Sequence, residues 1–195
     1  VGTMRGRSTA SAFAEWVFEQ QRPDYQSPSS SLKSNRLELG RFDHAEIDVV
    51  KKKSWFLDHS VGGGGGYRTH FVDDGVSVFF ASNLIVDDSP VRCRPDLILT
   101  NDLAGHVIII ERKTTYQFRL LNDKENWDNA ECQLWCYSYI DNLAFYDRVT
   151  LICERWVRRG TQLVALPSPM VWFKGTAEHE RHCRRYFERY GGLLF

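Results

Sequence analysis

Asp96, Glu111 and Lys113 supply two carboxylates and an ammonium within eighteen residues, enough for one polar site. They lie in the stretch RPDLILTNDLAGHVIIIERK, from Arg94 to Lys113, where Asp96 opens one short apolar run and Glu111 and Lys113 close the next. Successive side chains of a strand point to opposite faces, so Glu111 and Lys113 share a face and Arg112 points away. The connection Asn101-Asp102-Leu103-Ala104-Gly105 lets the chain fold back, which can bring the Asp96 carboxylate near that of Glu111. Two carboxylates that close repel unless neutralised, and Mg²⁺ or Mn²⁺ prefers such oxygen ligands, with phosphate oxygens and waters completing the shell. The Lys113 ammonium could then orient or help deprotonate a water, or offset charge building on a phosphate. A salt-bridged strand end accounts for any one of these residues alone. Pro-Asp before one hydrophobic strand, with Glu-x-Lys ending its neighbour, favours the joint reading.

The elements around this stretch must hold it in place. Thr9 to Gln21 has Phe13, Trp16 and Val17 at helical spacing, with Ser8, Thr9 or Ser11 available as caps and Pro23 as a stop. Asp24 to Ser34 is rich in Ser and Pro and reads as a loop, and Leu37 to Trp55 reads as short extended pieces interrupted by charge. Gly62 to Gly66 cannot pack a core and reads as a hinge or an engineered linker; no Gly-Lys-Ser or Gly-Lys-Thr follows to make it a phosphate-binding loop. Strand character runs through Val76 to Ala81, Leu84 to Val86, Asp96 to Leu99 and Val107 to Ile110. The Ile108-Ile109-Ile110 run is apolar on both faces, as in a central strand covered by helices, so the spacing predicts an α/β domain. Asn122 to Asp141 reads as a helix with Trp127, Ala130, Leu134, Tyr137 and Ile140 in one stripe, and Val149 to Cys153 as the strand after it. Gln133 and Tyr137 are one turn apart on that helix, so an amide and a hydroxyl can reach the same carboxylate, water or phosphate.

These residues resemble the motifs of the PD-(D/E)xK nuclease superfamily. Pro95-Asp96 followed by Glu111-Arg112-Lys113 matches its name motif, and Gln133-Leu134-Trp135-Cys136-Tyr137 is similar to the QxxxY motif of the branch with RecB-type and lambda-exonuclease-type enzymes. The resemblance spans roughly Val76 to Cys153 and implies a restriction-endonuclease-like mixed central sheet flanked by helices. It implies a divalent-metal-dependent hydrolysis of phosphodiester bonds in which Asp96, Glu111 and the Ile110 carbonyl hold Mg²⁺ or Mn²⁺. Lys113 would assist the water, and Gln133 and Tyr137 would arrange the site and the phosphate. This branch commonly adds an acid from a preceding helix, for which Glu15 is the choice here, with Glu19, Glu38 and Glu46 as rivals. The iron-sulfur members need a four-cysteine constellation that the spacing of Cys93, Cys132, Cys136, Cys153 and Cys183 does not give.

Bulk composition narrows the setting. A chain of 195 residues, 43% hydrophobic and 26% charged, suits a single domain spanning 1–195 with a linker at 62–66. Lys plus Arg and Asp plus Glu both number 25, so nucleic-acid binding would need a locally basic groove. Five scattered cysteines are expected to be reduced and buried, which points to an intracellular, reducing compartment. No apolar run approaches the ~20 residues that span a bilayer, so no membrane partner is expected. A chain opening on Val1 rather than methionine is expected to be an excised domain of a larger parent or a processed product.

The expected partner is nucleic acid, DNA favoured over RNA, with a protein partner also allowed. Arg92 and Arg94 approach the site through Asp96. Arg155, Arg158 and Arg159 could contact phosphates, with Trp156 as a stacking face, or form a solvated turn. Thr176 to Tyr190 reads as an amphipathic helix on which His179 and Cys183, four apart, could ligate a metal without a complete ligand set. Two other readings compete with a nuclease: a non-catalytic nucleic-acid-binding or assembly domain of the same fold, and an interaction module whose aromatic residues fill core and partner surfaces.

Overall fold

The computed structural model describes residues 6–22, 66–115, 127–166 and 169–195. The loop expected at Asp24 to Ser34, the extended pieces from Leu37 to Trp55 with Glu38 and Glu46, Gly62 to Gly65 and Asn122 to Glu125 with Asn126 lie outside them.

Helix α1, Ala10–Gln21, starts where Thr9 caps it, the hydroxyl accepting the Ala12 N–H at 3.0 Å. Its face of Ala10, Phe13, Ala14 and Val17 is buried. Strands β1 (Arg68–Val72), β2 (Phe79–Val86), β3 (Ser89–Cys93), β4 (Leu97–Asn101) and β5 (His106–Thr115) follow. Then come helix α2 (Asp128–Tyr137), strands β6 (Arg148–Arg159), β7 (Gln162–Ala165) and β8 (Met170–Phe173), helix α3 (Ala177–Arg189) and β9 (Leu193–Leu194).

The main sheet is six-stranded, ordered β1-β4-β5-β6, with both β7 and β8 paired to the far edge of β6. Only β5 and β6 run parallel among these pairs; the others are antiparallel. A parallel pair cannot be closed by a hairpin, and the connection between β5 and β6 carries α2. A second sheet, β3-β2-β9, lies beside it. The molecule is thus an α/β, restriction-endonuclease-like arrangement, a mixed central sheet flanked by helices α1, α2 and α3.

Strand β5 is buried on both faces, as its apolar run predicts. Val107 and Ile109 join the core under the helices, with Ile98, Leu151, Leu134 and Phe13. Ile108 and Ile110 face the other way, against Leu97 and Ile152. The turn between β4 and β5 needs Gly105 at φ +56°, where a Cβ would lie 3.0 Å from the Asp147 carboxylate.

One sequence expectation is corrected here. Arg155, Trp156, Arg158 and Arg159 do not form a turn after a strand ending at Cys153; β6 continues to Arg159 because its second half pairs with β7, from Trp156↔Ala165 to Arg159↔Gln162. The turn falls at Gly160, φ +60°.

Helix α3 ends in Gly191 at φ +90°, with the Gly192 N–H bonded to the Phe187 carbonyl and the Gly191 N–H to that of Glu188. Its packing on α1 and α2 is aromatic: Phe187 sits 5.2 Å from Phe13 and 5.4 Å from Trp135 between ring centroids. Glu180 fixes the start of α3 to α2, accepting from the Trp135 indole at 2.7 Å and the Tyr139 hydroxyl at 3.0 Å. Its other oxygen accepts the Gly175 N–H at 3.1 Å. Burial alone would raise the Glu180 carboxyl, but these donors outweigh it and hold it below the usual range. A depressed carboxyl contributes stability above its unfolded value and loses it as pH falls through the folded value. Glu180→Ala is therefore expected to cost about 1–3 kcal/mol in urea unfolding at neutral pH. The gap from wild type should shrink as pH drops below the ordinary glutamate range, and a gap constant from neutral to acid pH would contradict the hydrogen-bonded carboxylate.

Candidate functional site

Register places the acidic pair. Leu97 stands opposite Ile110 in the antiparallel β4–β5 pair, so Asp96, one residue earlier, and Glu111, one later, meet at its end. Both side chains lie on the helix face of the sheet, because Ile98 and Ile109, two residues from each, belong to the core under the helices. Asp96 and Glu111 are 7% and 6% exposed. An Asp96 carboxylate oxygen accepts the backbone N–H of Arg112 at 2.6 Å, which ties it to β5. Arg112 itself points to the opposite face, as alternation requires, and pairs there with Glu154 at 3.4 Å.

Lys113, Gln133 and Tyr137 converge on Glu111. The Lys113 ammonium donates to Glu111 Oε1 at 2.7 Å and to the Gln133 side-chain oxygen at 2.7 Å. Gln133 Nε2 donates to the same Glu111 oxygen at 3.0 Å and to the Tyr137 hydroxyl at 2.7 Å. Tyr137 donates onward to the Arg94 carbonyl at 3.0 Å, just before Pro95-Asp96. Helix α2 is thus latched to both ends of the acidic motif by one chain of hydrogen bonds. Burial alone would lower the Lys113 ammonium, but the Glu111 carboxylate beside it outweighs that and raises it. Burial, reinforced by Glu111, pushes the Tyr137 phenol well above its usual value, so it is a neutral donor. Cys153, on β6 beside Glu111, is pushed up to about 12 by burial and is an inert thiol.

Helix α1 reaches the same place. Ser11 Oγ lies 3.5 Å from Gln133 Nε2, and Glu15 stands one turn further along α1 with its side chain exposed. Arg92 and Arg94 are exposed; the Arg92 N–H is held by the Ser8 carbonyl at 3.0 Å, and Arg94 pairs with Asp73 at 3.4 Å. Arg155 is opposite Lys113 in the β5–β6 register and shares its face, buried with its guanidinium 5.7 Å from the centre of the Trp127 ring. Trp156 does not fit its expected role. It belongs to the other face, is 6% exposed, and donates its indole N–H to Glu154 at 3.2 Å, so it offers no stacking surface. Ile110 is fully buried between Leu97 and Ile152.

The opposite side of α2 carries a second constellation. Asp128 and Glu131 face His179, His182 and Cys183 of α3. Ligand atoms of Glu131, His179 and Cys183 lie within 4.8 Å of one another, as do those of Asp128, Glu131 and His182. A cluster of acidic, histidine and thiol groups able to chelate a divalent metal ion is therefore present. Sequence reading found His179 and Cys183 but not their partners; the signal was the i, i+3 spacing of Asp128 with Glu131 and of His179 with His182.

The five cysteines are free and buried, as in a protein kept in a reducing environment. Among the described residues no helix is long and apolar enough to cross a membrane.

No protein-family model matches the chain, and no curated relative does. Among solved structures it is similar to the crystal structure of SSO0001, at 12% identity, covering 96% of this chain and 79% of that one with a TM-score of 0.44. So distant a likeness carries no functional argument.

The shared network makes a test of its own. Gln133→Leu is expected to destabilise by about 1–3 kcal/mol, because it leaves buried partners of Gln133 unsatisfied, and Tyr137→Phe by about 1 kcal/mol. In a double-mutant cycle the two should couple by roughly 0.5 kcal/mol or more. Strict additivity in urea unfolding would show that they do not act as one network.

Proposed function

We propose that this chain is a divalent-metal-dependent nuclease, hydrolysing phosphodiester bonds in DNA in preference to RNA. The observation that carries the reading is the convergence of Asp96, Glu111, Lys113, Gln133 and Tyr137 on one end of the β4–β5 pair. Resemblance to the PD-(D/E)xK motifs and the mixed sheet support it.

The donor set fits a hard cation. Asp96 and Glu111 offer carboxylate oxygens from one end of the β4–β5 pair, and the groups seen to bond them are a backbone amide, an ammonium and a carboxamide. Asp96, Glu111 and the Ile110 carbonyl are the proposed ligands of Mg²⁺ or Mn²⁺, with Glu15 as the acid from α1. When bound, such an ion supplies Lewis-acid stabilisation of phosphate charge and lowers the pKa of an attacking water.

The rest of the work falls to the chain's own groups. Lys113 presents an ammonium beside Glu111, suited to offset charge that builds on the phosphate as the bond breaks. Gln133 fixes that ammonium and the Glu111 carboxylate in one orientation. Tyr137, buried, holds the Gln133 amide and anchors α2 to the strand that bears Asp96. Arg92 and Arg94, exposed on the approach to Asp96, are suited to phosphate contacts that position a nucleic acid without reading its sequence. Arg155, beside Lys113 on the same face of the sheet, is a further proposed phosphate contact.

Cleavage of labelled single- and double-stranded DNA and RNA should appear with Mg²⁺ or Mn²⁺ and vanish in chelator. Asp96→Ala and Lys113→Ala should each lower the rate about a hundredfold or more. Equal activity in wild type and both variants would remove these residues from the reaction. Salt-sensitive binding with no cleavage in any metal would instead support the non-catalytic nucleic-acid-binding alternative.

A further inference from the structure

The contact between α2 and α3 has an unusual chemistry for a helix interface. His179 is 4% exposed, and its Nδ1 lies 2.7 Å from Glu131 Oε1. Cys183, fully buried, places Sγ 3.8 Å from the same nitrogen. The thiol of Cys132, one residue after Glu131, neighbours that of Cys183. On the outer side, His182 Nε2 is 3.3 Å from Asp128 Oδ2 and 3.7 Å from Glu131 Oε2.

The two ring nitrogens of His179 are placed differently. The Nε2 atom of His179 is buried and has no hydrogen-bond partner among the described residues. Buried polar nitrogens are nearly always partnered, because an unsatisfied one costs its full desolvation. Glu131 and Cys183 both approach Nδ1, so a shared ion would take that nitrogen, and the orphaned Nε2 is not the atom they face.

We propose that Glu131, His179 and Cys183 bind a borderline-soft transition-metal ion, Zn²⁺ foremost, which staples α3 to α2. A carboxylate oxygen, an imidazole nitrogen and a thiolate sulfur form a set that Zn²⁺ accepts and that Mg²⁺ does not select. Cys132 stands beside Cys183 as a further thiol donor, and Asp128 and His182 flank the site on its open side. Binding replaces the Cys183 S–H bond by a sulfur-metal bond and releases that proton to solvent; no electron moves. The same α2 presents Gln133 and Tyr137 on its other side, so an ion here would stiffen the helix that organises the strand site. The proposal stands independently of the nuclease reading.

The test uses the full chain, reduced and stripped with chelator, titrated separately with Zn²⁺, Co²⁺ and Mg²⁺. One equivalent of Co²⁺ should give a thiolate-to-cobalt charge-transfer band, and Zn²⁺ should displace it and raise the melting temperature, while Mg²⁺ does neither. Cys183→Ser should abolish the band. Because a buried substitution can disturb folding, Glu131→Gln serves as the second variant: its circular dichroism should match wild type while Co²⁺ affinity falls about tenfold or more. Asp96→Ala should keep the band, which separates this site from the strand site. Absence of stoichiometric Zn²⁺ and Co²⁺ binding, or binding unchanged in both Glu131→Gln and Cys183→Ser, would overturn the proposal.

Discussion

Two largely buried carboxylates, Asp96 and Glu111, must be kept together at one end of the β4–β5 pair. Water cannot solvate them fully, and like charges in such a place resist ionisation unless hydrogen bonds or cations compensate. The fold answers with the Arg112 amide on Asp96 and with Lys113 and Gln133 on Glu111. Each of these partners demands something of the architecture. The amide requires that β4 and β5 pair in one register, and Lys113 requires an unbroken strand for two residues past Glu111. Gln133 requires a helix crossing that strand at hydrogen-bond distance.

Helix α2 meets the last requirement because it belongs to the connection between parallel strands β5 and β6, which places it over their shared face. Its side chains then divide by helical geometry. Gln133 and Tyr137, one turn apart, address the strands, while Glu131 and Trp135 address α3. Tertiary packing rather than propensity fixes the helix: its buried face spans Ala130 and Cys132 through Tyr137, and no side chain caps its N-terminus. The α3 contact and the strand site thus share one short element, α2.

Much of this was legible in the sequence because it was written in short-range periodicity. The alternation through Glu111-Arg112-Lys113 assigned the two faces correctly, Arg112 turning away to meet Glu154. The doubly apolar Ile108-Ile109-Ile110 run identified a covered central strand, and the four-residue spacing of Gln133 and Tyr137 placed them side by side. Long-range pairing was not legible. Nothing local to Trp156 says that β7 will extend β6 past Cys153, so its burial on the far face could not be anticipated from an Arg-rich stretch that resembles a surface turn. The Glu131-His179 contact joins residues on two helices separated by two further strands and β6, and no periodicity within one helix encodes it. Glu15 follows Ser11 by one turn, and the Ser11 contact with Gln133 is the observation that brings α1 beside the acidic pair.

Asp96 and Glu111 are proposed to form a hard-cation centre on which the surrounding groups act. A crystal structure of the chain grown with Mn²⁺ and a short DNA duplex tests it most directly, because the anomalous signal of Mn²⁺ locates the ion without reference to activity. An anomalous peak is expected in contact with carboxylate oxygens of both Asp96 and Glu111, with a phosphate oxygen completing the shell. Mn²⁺ bound elsewhere, with the Lys113-Glu111 hydrogen bond intact and no ion between the two carboxylates, would contradict it.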